Sequence, residues 1–149
     1  MKKRIFLCHP YSHPDPAVMR KRFESANDLA ARLIRAGYVV FSPISHSVPI
    51  ADCMGNHQDH GVWCEQDDAW LALCDEVWIP LVPGWRNSKG IAHERCVALM
   101  GGVPVKYFTP EGEASVKVCS YVDVLASIEA ARPGQPEDYG DGEVSDLYP

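Results

Sequence analysis

The 149-residue sequence lacks the markers of several large protein classes. No apolar run approaches the roughly 20 residues of a membrane-spanning helix, so no membrane partner is expected. Lys and Arg number 14 against 20 Asp and Glu, a formal charge of −6. That balance lacks the basic face of a nucleic-acid-polymer binder, although a small phosphorylated ligand needs only a few local donors. There is no G-x-G-x-x-G, no G-x-x-x-x-G-K-[ST] and no G-x-S-x-G, so neither a dinucleotide, a P-loop phosphate nor a serine elbow is signalled. No cofactor is expected. The basic start MKKRIFLCHPYSH has too short an apolar run for a secretory signal and no small-residue cleavage site. None of the six cysteines (Cys8, Cys53, Cys64, Cys74, Cys96 and Cys119) forms a C-x-x-C pair. Most lie in apolar runs, as free thiols do in a reducing compartment. The expected location is the cytoplasm.

The length suits one domain with a sizeable core. KRIFLCH reads as a buried first strand, ending in the polar loop HPYSHPDP. Asp15 followed by Pro16 predicts a helix start, with Asp as N-cap and Pro at the first helical position. That helix is expected to bury Val18, Phe23, Ala26, Leu29, Ala30, Leu33 and Ile34 and to leave Arg20, Lys21, Arg22, Asp28 and Arg32 wet. Gly37 closes it, and YVVFSP is the second strand.

ISHSVPIADCMGNHQDHG has no clean period and reads as a long loop containing a short helix. GVWCEQDDAWLALC predicts a helix with Val62, Ala69, Trp70 and Leu73 inward. CDEVWIPLV is a central-strand run, and PGWRNSKG is the loop at its carboxyl end, where open α/β sheets bind ligands. From Ser88, a helix carries Ile91, Arg95, Ala98 and Leu99 at roughly helical spacing, with Glu94 next to that stripe. Gly101 and Gly102 end it, VPVKYF is a fourth strand, and SYVDVLASIEAAR reads as a closing helix. The predicted fold is a doubly wound α/β domain over 1–131 with a parallel sheet of about five strands. An acidic tail rich in Pro and Gly follows over 132–149 and reads as mobile.

The pattern Asp67-x-x-Trp70-Leu71-x-x-Cys74-Asp75, then Ser88-x-Gly90-x-x-x-Glu94, then Ala98-x-x-x-Gly102-x-Pro104-Val105 resembles the nucleoside 2-deoxyribosyltransferase superfamily. That superfamily includes the 2'-deoxynucleoside 5'-phosphate N-hydrolases. The resemblance runs from about Lys3 to Phe108. Within it, His9-Pro10-Tyr11-Ser12-His13 and Ser42-Pro43-Ile44-Ser45-His46 resemble a branch often carried by phages. The resemblance implies a flavodoxin-like sheet, cleavage of the N-glycosidic bond of a nucleotide or nucleoside, and a homodimer or higher homo-oligomer. It places the catalytic glutamate on Glu94, its partner aspartate on Asp67, and the substrate-binding serine on Ser88, with Gly90 leaving room. A family tyrosine in strand one falls on Phe6, so its hydroxyl is missing or is replaced by Tyr11.

These residue types suit the chemistry. Glycosidic cleavage passes through an oxocarbenium-like centre, which an ionised Glu94 can stabilise or attack; a helix N-terminus is expected to help keep it ionised. The departing base needs a proton, and Asp67 with a raised pKa can supply it. Asp68 points about 100° away on the same helix and reads as a solvated charge. A 5'-phosphate would find donors at the Ser88–Gly90 turn, with Arg86 or Lys89 as counter-charges. Trp85, Tyr11, His9 and His46 are candidates to stack on or hydrogen-bond a base. Taken singly, Ser88 is also an ordinary N-cap, and Glu94 an ordinary residue near a helix start. Cys53, His57, His60 and Cys64 could clip a loop with zinc, but the spacing matches no zinc signature, and no metal is assigned. The expected reaction is hydrolysis of a (deoxy)ribonucleoside 5'-monophosphate to base and sugar phosphate. Base exchange by a deoxyribosyltransferase and a nucleotide-sensing module without turnover are the alternatives.

Overall fold

The computed structural model describes residues 1–55, 60–111 and 115–119. Their order is β1 (Arg4–Leu7), α1 (Pro16–Arg35), β2 (Val39–Phe41), α2 (Pro43–Met54), α3 (His60–Leu71), β3 (Glu76–Pro80), α4 (Lys89–Met100), β4 (Val105–Glu111) and β5 (Ser115–Cys119). The sheet order is β2-β1-β3-β4-β5, the flavodoxin-like order expected. Four strands are parallel. The fifth is a correction: β5 runs antiparallel to β4, because it follows directly with no crossover helix between. The closing helix, the acidic tail and the boundary between them lie outside the described residues.

β1 and β3 are buried on both faces, as central parallel strands should be. Ile5, Leu7 and Trp78 pack on Leu29 and Leu33 of α1. On the opposite face, Phe6, Cys8, Val77 and Ile79 pack on Leu71 of α3 and on Ile91 and Ala98 of α4. The two layers meet the alternation of strand side chains.

Local signals explain most of the helix ends. Asp15 Oδ1 accepts from the Ala17 amide at 2.8 Å, and Gly37 leaves α1 at φ 97°. Ser88 caps α4, its Oγ accepting from the Ile91 amide at 3.3 Å. The segment read as mostly loop is in part the twelve-residue α2. Ser42 accepts from the Ser45 amide, Pro43 fills the first helical position, and left-handed Gly55 ends the helix.

Several expected faces differ. Ile34, Trp70, Leu73 and Leu99 are 56%, 42%, 56% and 64% exposed, and Val62, Ala69 and Arg95 also face outward. Arg22 is buried instead of wet. On α4 the buried stripe is Ile91, Glu94 and Ala98, so Glu94 belongs to the inward face itself.

Candidate active site

In this sheet order the chain turns one way from β1 and the other from β3, and the loops leaving those strands part at their carboxyl ends. Ligands bind at such a switch point. The β1–α1 loop brings His9 and Tyr11, the β3–α4 loop brings Trp85, Arg86 and Ser88, and α3 and α4 bring Asp67 and Glu94.

Asp67 and Glu94 are the two residues on which the sequence pattern places the chemistry. Glu94 is buried, Asp67 partly so, and the two helices pack together. Asp67 Oδ1 and Glu94 Oε2 are buried without a hydrogen-bond partner in the protein, which is uncommon enough to call for a cause. Burial, with the neighbouring Asp67 and Asp68 charges, pushes the Glu94 carboxyl up to about 8, the Cys8 thiol acting in the other direction. Burial and the Asp68 charge push Asp67 up to about 7. The expectation that a helix N-terminus keeps Glu94 ionised is therefore not met. Glu94 is the sixth residue of α4, beyond the first turn where the dipole acts, so desolvation wins. Glu76 shows the opposite balance. Burial works to raise it as well, but hydrogen bonds from Lys3, Trp78 and Lys106 outweigh that and bring it down to about 2.

Asp68 is not a free surface charge: His93 Nε2 lies 2.9 Å from its Oδ1. The two aspartates thus part as helical geometry requires, Asp67 towards Glu94 and Asp68 towards His93. Cys8 went unrecognised in the sequence. It directly follows β1, in one core cluster with Phe6, Ile91 and Ala98, and the Glu94 charge helps burial to push its thiol up. The i, i+2 step from the polar-depleted Phe6 was the available signal. Tyr11, the other candidate for the missing hydroxyl, lies in the β1–α1 loop. Its phenol is pushed up by burial and by Asp52 of α2.

Ser88 is buried at the start of α4. Gly90 has only Ser88 Oγ, at 3.8 Å, near the position of an added Cβ. Arg86 is exposed beside them. Trp85 packs edge-on against Tyr107 with centroids 5.7 Å apart. His46 sits on α2 against Phe41 and Trp70, at 5.3 and 6.4 Å. His9 is buried, its Nδ1 2.8 Å from the Pro10 carbonyl and its Nε2 3.0 Å from Ser25 Oγ, so both ring nitrogens are engaged within the protein.

Among the described residues no group of three or more His, Cys, Asp or Glu is arranged for a metal ion. His57 of the Cys53/His57/His60/Cys64 set lies outside them. Among the described residues Cys8, Cys53, Cys64, Cys74 and Cys96 form no disulfide. No helix among the described residues is long and apolar enough to cross a membrane.

Fold and site together define a switch-point α/β domain with a buried carboxylate pair. The chain belongs to the family described as Domain of unknown function (DUF1937), whose model matches residues 3–109. No curated protein matches it. Its structure is similar to that of a 2-deoxyribosyltransferase from the psychrotolerant bacterium Bacillus psychrosaccharolyticus. The two are 19% identical, the match covers 83% of this chain and 81% of that one, and the TM-score is 0.55. The fold implied by the sequence pattern is thereby shown.

Proposed function

We propose that the protein cleaves the N-glycosidic bond of a (deoxy)ribonucleoside 5'-monophosphate, releasing free base and sugar phosphate. The observation that carries this reading is the pair of buried, unpartnered carboxyl oxygens on Asp67 and Glu94, raised together above the ordinary carboxylate range. Such a pair titrates as a unit and holds a proton near neutral pH. Positive charge developing at the anomeric carbon favours the ionised form of Glu94, leaving the proton on Asp67. Asp67 gives it to the departing base, which leaves with the bonding electrons. Water then adds to the anomeric carbon, and its proton returns to Asp67. Net, one water is consumed per bond cleaved.

Ser88 and Glu94 are six residues apart on one helix, about 9 Å along its axis at 1.5 Å per residue. A sugar 5'-phosphate can span that interval, with phosphate at the helix start and the anomeric carbon over Glu94. Gly90 leaves the approach open, Arg86 supplies charge, and Tyr11, Trp85 and His46 are the side chains left to flank a base. Likeness to a 2-deoxyribosyltransferase supports a nucleoside-type substrate. Capture of the sugar by a second base in place of water would use the same first half-reaction. We also propose a cytoplasmic homo-oligomer, a dimer or larger, which light scattering of the purified chain reads directly.

The test is a panel of ribo- and deoxyribonucleoside monophosphates and free nucleosides, with base release followed by chromatography and Glu94→Gln alongside. Release by wild type and not by the variant supports the proposal. Release only with an acceptor base present replaces hydrolysis with transfer. Saturable thermal stabilisation by a nucleotide without release replaces both with sensing.

A further inference from the structure

We propose that His93 is a positioning residue of this site: its hydrogen bond to Asp68 fixes α3 against α4 in the register that sets Asp67 level with Glu94. This rests on the reading of Asp67 and Glu94 given above, and the test below separates the two.

Two adjacent residues on each helix meet at the seam between α3 and α4: Asp67 and Asp68 on one, His93 and Glu94 on the other. Neighbours on a helix stand about 100° apart, so each helix sends one of its two inward and the other outward. Asp67 Oδ1 and Glu94 Oε2 are buried, whereas the His93 and Asp68 side chains stay 27% and 38% exposed. The outer pair is joined, His93 Nε2 lying 2.9 Å from Asp68 Oδ1. A carboxylate oxygen accepts, so Nε2 carries the hydrogen. Each inner residue is one step, about 1.5 Å of rise, from a member of that joined pair. The contact therefore holds Asp67 and Glu94 at one height along the seam.

The rest of the seam specifies register loosely. Leu71 of α3 meets Ile91 and Ala98 of α4 in one apolar cluster. Leu71 lies four residues from Asp67, and Ile91 and Ala98 lie three and four from Glu94, so they share the inward faces. Apolar burial is non-directional, and a single polar contact in such a seam is an established way to fix the register of packed helices. The inner carboxyls do not hold each other. Their buried oxygens have no hydrogen-bond partner in the protein, and the charge of Asp67 disfavours charge on Glu94. A slip of one helical turn, about 5.4 Å, would part them.

Full-length His93→Ala removes the hydrogen bond. His93→Gln places an amide nitrogen near the position of Nε2 and carries no charge, so recovery in this variant assigns the effect to position. In each, the Glu94 carboxyl is titrated by carbon-13 NMR, its resonance assigned by its loss in Glu94→Gln, and base release gives kcat and KM. In His93→Ala we expect Glu94 to titrate about half a unit or more lower, because Asp67 draws away from it. There kcat should fall about 10-fold or more, with KM within about threefold of wild type, since the reacting groups are misplaced and the ligand loops are not. His93→Gln should restore most of both. A side chain that only adds stability would lower the urea midpoint and leave the Glu94 titration in place. Unchanged Glu94 titration in His93→Ala overturns the proposal, as does failure of His93→Gln to restore it. Absence of base release in wild type overturns the glycosidase reading alone, because the titration still reports whether His93 holds the pair.

Discussion

The guanidinium of Arg22 occupies the space that a side chain at Gly84 would need. A Cβ built on Gly84 overlaps Nη2 and stands 3.1 Å from Cζ. The same group donates through Nη1 to the carbonyls of Ser12 at 2.6 Å and Tyr11 at 3.4 Å. A buried cation from α1 thus ties the β1–α1 loop to the β3–α4 loop, the two that part at the switch point. Its charge also adds to burial in lowering His9 to about 4, against the Pro10 carbonyl.

Gly84→Ala tests this tie. Gly84 sits at φ 88°, where a Cβ costs about 1–3 kcal/mol, and the new methyl displaces Arg22 as well. The urea midpoint should fall without a change in slope. KM should rise more than kcat falls, since in the proposed reaction the loops bind and Glu94 reacts. Gly90→Ala is the contrast. It meets no close atom, and a helix-interior Gly→Ala change gains up to about 1 kcal/mol. We expect stability kept or raised, with weaker nucleotide affinity because the approach to Ser88 is filled. Affinity equal to wild type would remove Gly90 from the ligand contact.

The raised carboxyls set a pH dependence whose sign follows from proton counting. Between the ordinary glutamate value of 4.5 and about 8, the unfolded chain loses the Glu94 proton while the folded chain keeps it. Asp67 does the same between 3.8 and about 7. Stability therefore falls as pH rises through those windows. His9 opposes this between about 4 and 6.5, where the unfolded imidazole binds the extra proton. Above pH 6.5 that opposition ends, so the steepest loss is expected from about 6.5 to 7, where both carboxyls act, with Glu94 alone continuing it to about 8. Glu94→Gln removes its share of the slope and should be the more stable protein at pH 8, by an amount on the order of a few kcal/mol. Chemical denaturation at pH 6.5 and 8 measures it, and equal slopes for the two proteins would place the Glu94 proton elsewhere.

The chain's local grammar made much of this legible. Asp15-Pro16 marked the start of α1, and Ser88 marked α4, because caps and first-turn prolines are local signals. Ser42-Pro43 has the same grammar, yet Pro49 within α2 obscured the period, so that helix read as mostly loop. Arg22 looked solvated because its type and its charged neighbours say so. Only tertiary packing supplies the carbonyls of Tyr11 and Ser12 and the open space over Gly84. Trp70 and Leu99 failed as core residues for a related reason. Their periodicity identified a helix, whereas the face buried depends on where the sheet lies. Glu94 and Asp67 were found through a spaced motif, and their proximity is a product of helix packing. Cys8 escaped because an apolar thiol in a strand looks like filler until a carboxylate is brought against it.

Adjacent Asp67 and Asp68 offer the sharpest separation of roles. Asp67→Asn keeps the shape of the pair and removes the transferable proton, so base release should fall by about 100-fold or more. It should fall less for substrates whose base is a good leaving group. Asp68→Asn leaves that proton in place and reduces the contact with His93 to a neutral hydrogen bond, removing an ion pair that, partly exposed, is worth roughly 0.5 kcal/mol. Its charge raises Asp67, so neutralising it should lower the Asp67 pKa and move the alkaline fall in activity to lower pH, with the maximal rate within a few-fold of wild type. Kinetics of both variants across pH decide the assignment. A large rate loss in Asp68→Asn with a mild one in Asp67→Asn would exchange their roles and make the His93–Asp68 pair the proton donor.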